Sequence, residues 1–176
     1  MSPNLFPLLQ CLVVDDQPSS CRVVSQYISR TDGLQFSSSV SDGMQAFDYL
    51  QTHPEIHLVF LDVEMPEMSG FDLLAALEQE NHAPLPLVIL TTGHAKYATQ
   101  GYDFDRVVGF LQKLVNYQDF LRMVQKARRA ILQYSNDTIV ATSHLPSQNT
   151  PSQNDDYLLL RKERDMLAKA FQMFGK

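Results

Sequence analysis

Leu58-Val59-Phe60-Leu61-Asp62-Val63-Glu64-Met65-Pro66-Glu67-Met68-Ser69-Gly70 is the stretch that decides the fold. Its first four residues are apolar and partly β-branched, which reads as a buried strand. The run stops on one carboxylate, Asp62. A turn with Pro66 and Gly70 follows, and a helical pattern restarts at Phe71, with Leu74 and Leu77 on the same inner face. In open parallel α/β sheets the ligand crevice lies at the carboxyl ends of the strands. Asp62 therefore stands where chemistry is done.

Upstream, Leu8 to Val14 is a first apolar strand, and it ends in Asp15-Asp16. Pro18, tolerated in a first turn, opens a helix carrying Cys21, Val24 and Ile28. Asp32-Gly33 breaks it. Gln35 to Val40 is a second, less apolar strand suited to a sheet edge. Ser41 is the expected N-cap of a helix with Ala46, Phe47 and Leu50 on one face, closed by His53-Pro54.

Downstream, Ala83 to Pro86 is a linker. Leu87 to Leu90 is the fourth strand, running into Thr91-Thr92-Gly93, and a short helix over Ala95 to Gly101 follows. Val107 to Leu111 is the fifth strand, followed by Gln112-Lys113. Asn116 with Asp119 caps a last helix, Tyr117 to Gln133, whose apolar stripe is Phe120, Val124, Ala127 and Ile131. Strand and helix alternate throughout. That pattern specifies an α/β domain with a five-stranded parallel sheet and helices on both faces.

The bulk numbers agree. The 176 residues suffice for one domain plus an extension, and 44% hydrophobic content suffices for a core. A net charge of −6 argues against whole-domain nucleic-acid binding. Cys11 and Cys21 are too few for a disulfide framework and read as reduced thiols. The N-terminus lacks a signal-peptide pattern, and no apolar run reaches the ~18 residues of a membrane span. A soluble cytoplasmic protein is the default.

Parallel strands bring their carboxyl ends to one edge. Asp15 and Asp16, Asp62, Thr92 and Lys113 all follow strands and would converge there. Three packed carboxylates repel and call for a cation. Hard oxygen ligands in small number suit Mg²⁺. A metal, an ammonium and a hydroxyl beside Asp62 make a site for a transferred phosphoryl group, with Asp62 as nucleophile and Lys113 and Thr92 on the phosphoryl oxygens. Alone, each residue has a plainer reading: helix cap, turn acid, turn hydroxyl, solvated lysine. Their order after four strands is what carries the argument. His53, His57, His82, His94 and His144 have no metal-ligand spacing. His94, beside the site, is expected to be partly exposed and without chemistry.

This set resembles the receiver domain of two-component response regulators. The resemblance runs from about Leu9 to Gln133 and rests on Val13-Val14-Asp15-Asp16, Leu61-Asp62-Val63-Glu64-Met65-Pro66 with Gly70, Thr92-Gly93, Phe110 and Lys113. It implies a flavodoxin-like sheet in the order 2-1-3-4-5. It also implies phosphotransfer to Asp62 from a sensor histidine kinase, in a Mg²⁺-dependent reaction that is not enzymatic turnover. By the same resemblance, Asp15, Asp16, Asp62 and the backbone carbonyl of Glu64 hold the metal. Thr92 and Phe110 form the conformational switch, and Lys113 is the family's lysine. The chain departs from the family in several places: Asp103 to Arg106 is one residue longer than usual, Thr91 precedes Thr92 as a second candidate for the switch hydroxyl, with the spacing to Tyr97-Ala98 favouring Thr92, and two positions carry other residues. Leu114 replaces the proline after the lysine, removing the main reason for a cis bond. Gly93 replaces a more usual alanine, leaving the site open.

Three parts are expected: a receiver over 1–134, a flexible linker rich in Ser, Asn, Gln and Pro over 135–156, and a C-terminal helix or truncated output-domain start over 157–176. Thr92-Gly93-His94 with Tyr97-Ala98, and Asp155 to Lys162, resemble regulators with a LytTR-type DNA-binding domain. Too few residues follow for that domain, so direct DNA binding is not expected. Leu160, Leu167, Phe171 and Phe174 would instead line one side of a helix used for homodimerisation, and the basic run Arg122, Lys126, Arg128, Arg129 could pair across a dimer. The downstream partner is not legible. Two rival classes remain. One is a phosphorylation-independent receiver-like interaction module. The other is a haloacid-dehalogenase-like phosphohydrolase, which would need an Asp-x-Asp nucleophile pair where this chain has Asp62 and Glu64. A dinucleotide-binding oxidoreductase lacks its glycine-rich turn here.

Overall fold

The computed structural model describes residues 8–80, 85–98, 101 and 104–141. The expected C-terminal helix over 157–176, most of the linker over 135–156, and part of the linker at Ala83 lie outside these residues. The chain divides into two compact units, Met1–Ala127 and Arg128–Lys176, and the fold that follows is that of the first.

Among the described residues five strands are present: β1 Leu9–Val14, β2 Leu34–Val40, β3 Leu58–Asp62, β4 Leu87–Thr92 and β5 Val107–Gln112. All neighbours pair in parallel, in the order β2-β1-β3-β4-β5. This is the expected doubly wound sheet, with the less apolar β2 at an edge. β3 is central and every one of its residues is buried, which explains its apolar run on both faces. The connection reverses direction between β1 and β3, and a ligand crevice opens at such a reversal. The acids at the ends of β1 and β3 flank it.

The α-helices of the described residues are α1 Pro18–Ser29, α2 Gly43–Thr52, α3 Gly70–Glu80 and α4 Tyr117–Ala141. Where a fifth helix was expected there is a 3-10 turn, Ala95–Ala98, closed by the Tyr97 N–H on the His94 carbonyl at 3.2 Å. Two further details differ from the sequence reading. Asp42, not Ser41, caps α2 through its side chain and the Gln45 N–H. Helix α4 continues past Gln133 to Ala141, into residues expected to be linker. The Asn116 cap is as expected, with Asn116 Oδ1 accepting from the Asp119 N–H at 2.9 Å.

Alternating strand residues supply two cores. Leu12, Val14, Val59, Leu61, Val88 and Leu90 pack with Ala46 and Leu50 of α2 and Leu73, Leu74 and Leu77 of α3. Leu73, which the spacing of Phe71, Leu74 and Leu77 passes over, is fully buried. On the opposite face Phe60 stacks on Phe120 of α4 with ring centroids 5.1 Å apart, and Phe120 meets Tyr27 of α1 at 5.5 Å. Such a ring pair adds about 0.5–1.5 kcal/mol beyond area burial.

Gly70 is fixed by space. A Cβ there would collide with the carbonyl oxygen of Asp62, because α3 starts directly against the end of β3. The Gly70 N–H donates to the Val63 carbonyl and the Val63 N–H to the Thr91 carbonyl, both at 3.0 Å. The backbone beneath Asp62 is thereby pinned from two sides.

His57 locks the other end of the sheet. Its Nδ1 accepts from the Gln10 N–H at 3.1 Å, and its own N–H donates to the Gln10 carbonyl. Burial holds its pKa below the usual histidine value, against the weaker opposing charge of Glu55. The neutral ring is therefore favoured in the folded state. Below the ordinary value the unfolded chain binds the extra proton first, so stability falls as pH drops through about 6.5. Urea midpoints followed from pH 7.5 to 5.5 should fall more steeply for the wild type than for His57→Asn. Parallel curves would contradict this account.

Candidate functional site

β1 delivers two acids. Asp15 is buried, and its Oδ1 accepts from the Gln17 N–H at 2.9 Å. This bond folds the chain into the turn before α1, whose N-cap Gln17 makes no side-chain cap bond. Asp62 is the last residue of β3 and only 1% exposed. Its Oδ1 accepts from the Glu64 N–H at 3.1 Å. Carboxylate oxygens of Asp15, Asp16 and Asp62 lie within 4.8 Å of one another.

Lys113 reaches this cluster from the loop after β5. Its Nζ lies 2.6 Å from Asp62 Oδ2 and 2.9 Å from Asp15 Oδ2. The Lys113 N–H donates to the Thr92 carbonyl at 2.8 Å. Lys113-Leu114 is a cis peptide although Leu114 stands where the resemblance has proline. Just beyond it, the Val115 carbonyl accepts from the Tyr27 hydroxyl at 3.3 Å.

Burial is the main influence on Asp62 and raises its pKa, and the Asp15 charge adds to this. The Lys113 and Glu64 hydrogen bonds only partly offset it. Burial also works against the Lys113 charge, but Asp62 and Asp15 together outweigh it and hold that pKa above the ordinary lysine value. Lys113 stays protonated at neutral pH. One ammonium stands against three carboxylates, so the cluster holds two more acids than cations.

That balance suits a divalent cation, and one atom supports the fit directly. Asp16 Oδ1 is buried, with no hydrogen-bond partner among the described residues. A buried carboxylate oxygen without a donor is costly. An all-oxygen donor set of this size matches Mg²⁺, which binds through one or two carboxylates and keeps several waters.

Thr92 ends β4, 2% exposed. Its hydroxyl accepts from the His94 N–H at 3.0 Å and donates to the His94 carbonyl at 3.3 Å. The hydroxyl is thus engaged by the following loop. Phe110 lies in β5 opposite Leu90, partly buried against the α2/α3 core. Among the described residues a Cβ on Gly93 would meet only Glu64 Oε2, at 3.8 Å, and they leave this side of the site open.

Sequence reasoning missed one link. The His94 ring Nδ1 pairs with Glu64 Oε2 at 2.7 Å, and both side chains are substantially exposed. The β3–α3 and β4 loops are tied together across the mouth of the site. The pair spans thirty residues, and no local pattern signals it. Glu64 entered the sequence reading for its carbonyl, whereas here its N–H holds Asp62 and its carboxylate holds His94.

Replacing the ammonium tests this electrostatic account. Lys113→Met leaves the acids unpaired and should destabilise the domain by about 3–5 kcal/mol in chelator, the usual effect of removing one partner of a buried pair. Asp16→Asn removes charge and should raise stability by about 1–3 kcal/mol under the same conditions. Chemical denaturation measures both. A neutral Lys113→Met would show that the acids do not depend on the lysine.

Comparison with known proteins matches residues 11–125 to the response regulator receiver domain. The positive alginate biosynthesis regulatory protein of Pseudomonas aeruginosa is 32% identical over 123 residues, covering 69% of this chain and 48% of its own length. Protein MrkE of Klebsiella pneumoniae is 23% identical over 166 residues, covering 94% of this chain and 58% of its own. The chain spans about half the length of the curated relatives it matches. Among solved structures, the response regulatory domain of mrkE from Klebsiella pneumoniae superposes with a TM-score of 0.61 at 21% identity, over 69% of this chain and 97% of that one. The Vibrio cholerae chemotaxis protein CheY4 gives 0.59 at 23% identity, over 68% and 98%. These two share the fold. The family match, over most of the chain, places it: it belongs to the response regulator receiver domain family.

Proposed function

We propose that this domain accepts a phosphoryl group on Asp62 from a phosphohistidine of a sensor histidine kinase and changes conformation in response. The observation that carries this reading is the cluster itself. Three carboxylates and one ammonium meet at the reversal point of the sheet, and one buried carboxylate oxygen has no donor among the described residues.

An Asp62 carboxylate oxygen forms the new O–P bond as the N–P bond to the donor imidazole breaks. Glu64 N–H and Lys113 fix the carboxylate from two sides, so it meets the donor without reorganising. Lys113, already between Asp62 and Asp15, moves onto a phosphoryl oxygen as charge builds there. Asp15, Asp16, Asp62 and the Glu64 carbonyl would hold Mg²⁺, which supplies charge neutralisation when bound.

Switching follows from competition for Thr92. A phosphoryl oxygen beside Asp62 is a stronger acceptor than the His94 carbonyl. Turning toward it, Thr92 releases the His94 loop, and the face formed by the 3-10 turn, β5 and the start of α4 adjusts with Phe110. The phosphoryl group biases a pre-existing equilibrium. Self-association or a downstream protein would read that face. The relatives' greater length leaves room for an output region, and the chemistry assigned here does not depend on it.

Mass spectrometry after incubation with acetyl phosphate and Mg²⁺ tests the assignment. One added phosphoryl group is expected on the wild type, at Asp62, and none on Asp62→Asn. Equal labelling of the two, or no labelling of the wild type, would overturn it.

A further inference from the structure

Gly101 lies where the chain returns toward β5, fully enclosed. A Cβ built there would fall 2.8 Å from Leu90 Cδ1 and 2.8 Å from Phe110 Cε1, and closer still to Phe110 Cζ. No L side chain fits without something moving. Leu90 is wholly buried in a central strand, whereas Phe110 sits at the rim of the core. The ring is the part that would give.

Phe110 rests against Gly101 in the same structure in which His94 holds the Thr92 hydroxyl. We propose that Gly101 is a positioning residue for Phe110. It provides the hollow in which the ring seats before phosphorylation. This rests on the reading of Phe110 as the aromatic of the switch.

The test uses the full chain labelled uniformly with 4-fluorophenylalanine, the Phe110 signal being assigned by its loss in Phe110→Leu. ¹⁹F spectra are recorded before and after acetyl phosphate and Mg²⁺, with phosphate on Asp62 checked by mass. In the wild type the Phe110 signal should shift on phosphorylation. In Gly101→Ala its resting position should move toward that of free 4-fluorophenylalanine, and phosphorylation should not return it to the wild-type position. Thermal midpoints supply the second measurement. Gly101→Ala should lower the midpoint more in the wild type than in the Phe110→Leu background, where the clashing Cζ and Cε1 are gone and only the Leu90 contact remains; that partial rescue also covers a single variant that fails to fold. An unmoved resting signal in Gly101→Ala, or an equal midpoint loss in both backgrounds, overturns the positioning role and leaves the switch reading standing. A wild-type Phe110 signal that ignores phosphate on Asp62 removes the switch reading and the proposal with it.

Discussion

One ammonium holds the site together. Lys113 crosses from the loop after β5, past β4, to touch carboxylates on both β3 and β1. Two carboxylates ~4 Å apart repel by about 4 kcal/mol in a moderately screened protein environment, and three oppose one another here. The lysine relieves part of this and leaves the rest unrelieved. The parallel sheet makes the arrangement possible, because it alone brings residues nearly a hundred positions apart to a single edge. Gly70 serves the same end, since only a missing side chain lets α3 start against the Asp62 carbonyl.

A site built this way is a standing cost to the fold. Asp62 is buried and its pKa is raised chiefly for that reason, and Asp16 keeps a buried oxygen without a donor. Natural proteins carry such tension where function needs it. Around the acids, the surroundings divide into a tight and a loose part. The carboxylates and lysine are fixed by short polar contacts to strands and their immediate turns. Thr92, His94 and Glu64 form an outer chain of hydrogen bonds across the mouth, two of whose side chains face solvent. Rearrangement costs least in that outer chain.

Most of the fold was legible because the signals were local and repeated. Apolar runs marked β1, β3, β4 and β5, the less apolar β2 followed the break at Asp32-Gly33, and the spacing of Phe120, Val124 and Ala127 marked the buried stripe of α4. The acids and lysine were legible as a group because each follows a strand, and strand ends converge. What stayed hidden depends on particular geometry. Ser41 and Asp42 are both good caps, and only the backbone decides that Asp42 points at Gln45. The Ser, Asn, Asp and Thr residues after Gln133 resemble a linker, yet α4 runs through them to Ala141. The Glu64–His94 pair and the hollow at Gly101 join segments with no pattern in common. The cis Lys113-Leu114 bond appears with leucine where proline would have announced it.

The central claim is that the acids of β1 and β3 form one cluster with charge left over for a divalent cation. Thermal unfolding at increasing Mg²⁺ concentration addresses it directly, because a ligand that binds only the folded state raises the midpoint with its own concentration. The wild type should gain stability progressively with Mg²⁺ at constant ionic strength, and Asp16→Asn should not. A wild-type midpoint indifferent to Mg²⁺, or an equal gain in Asp16→Asn, would contradict the account.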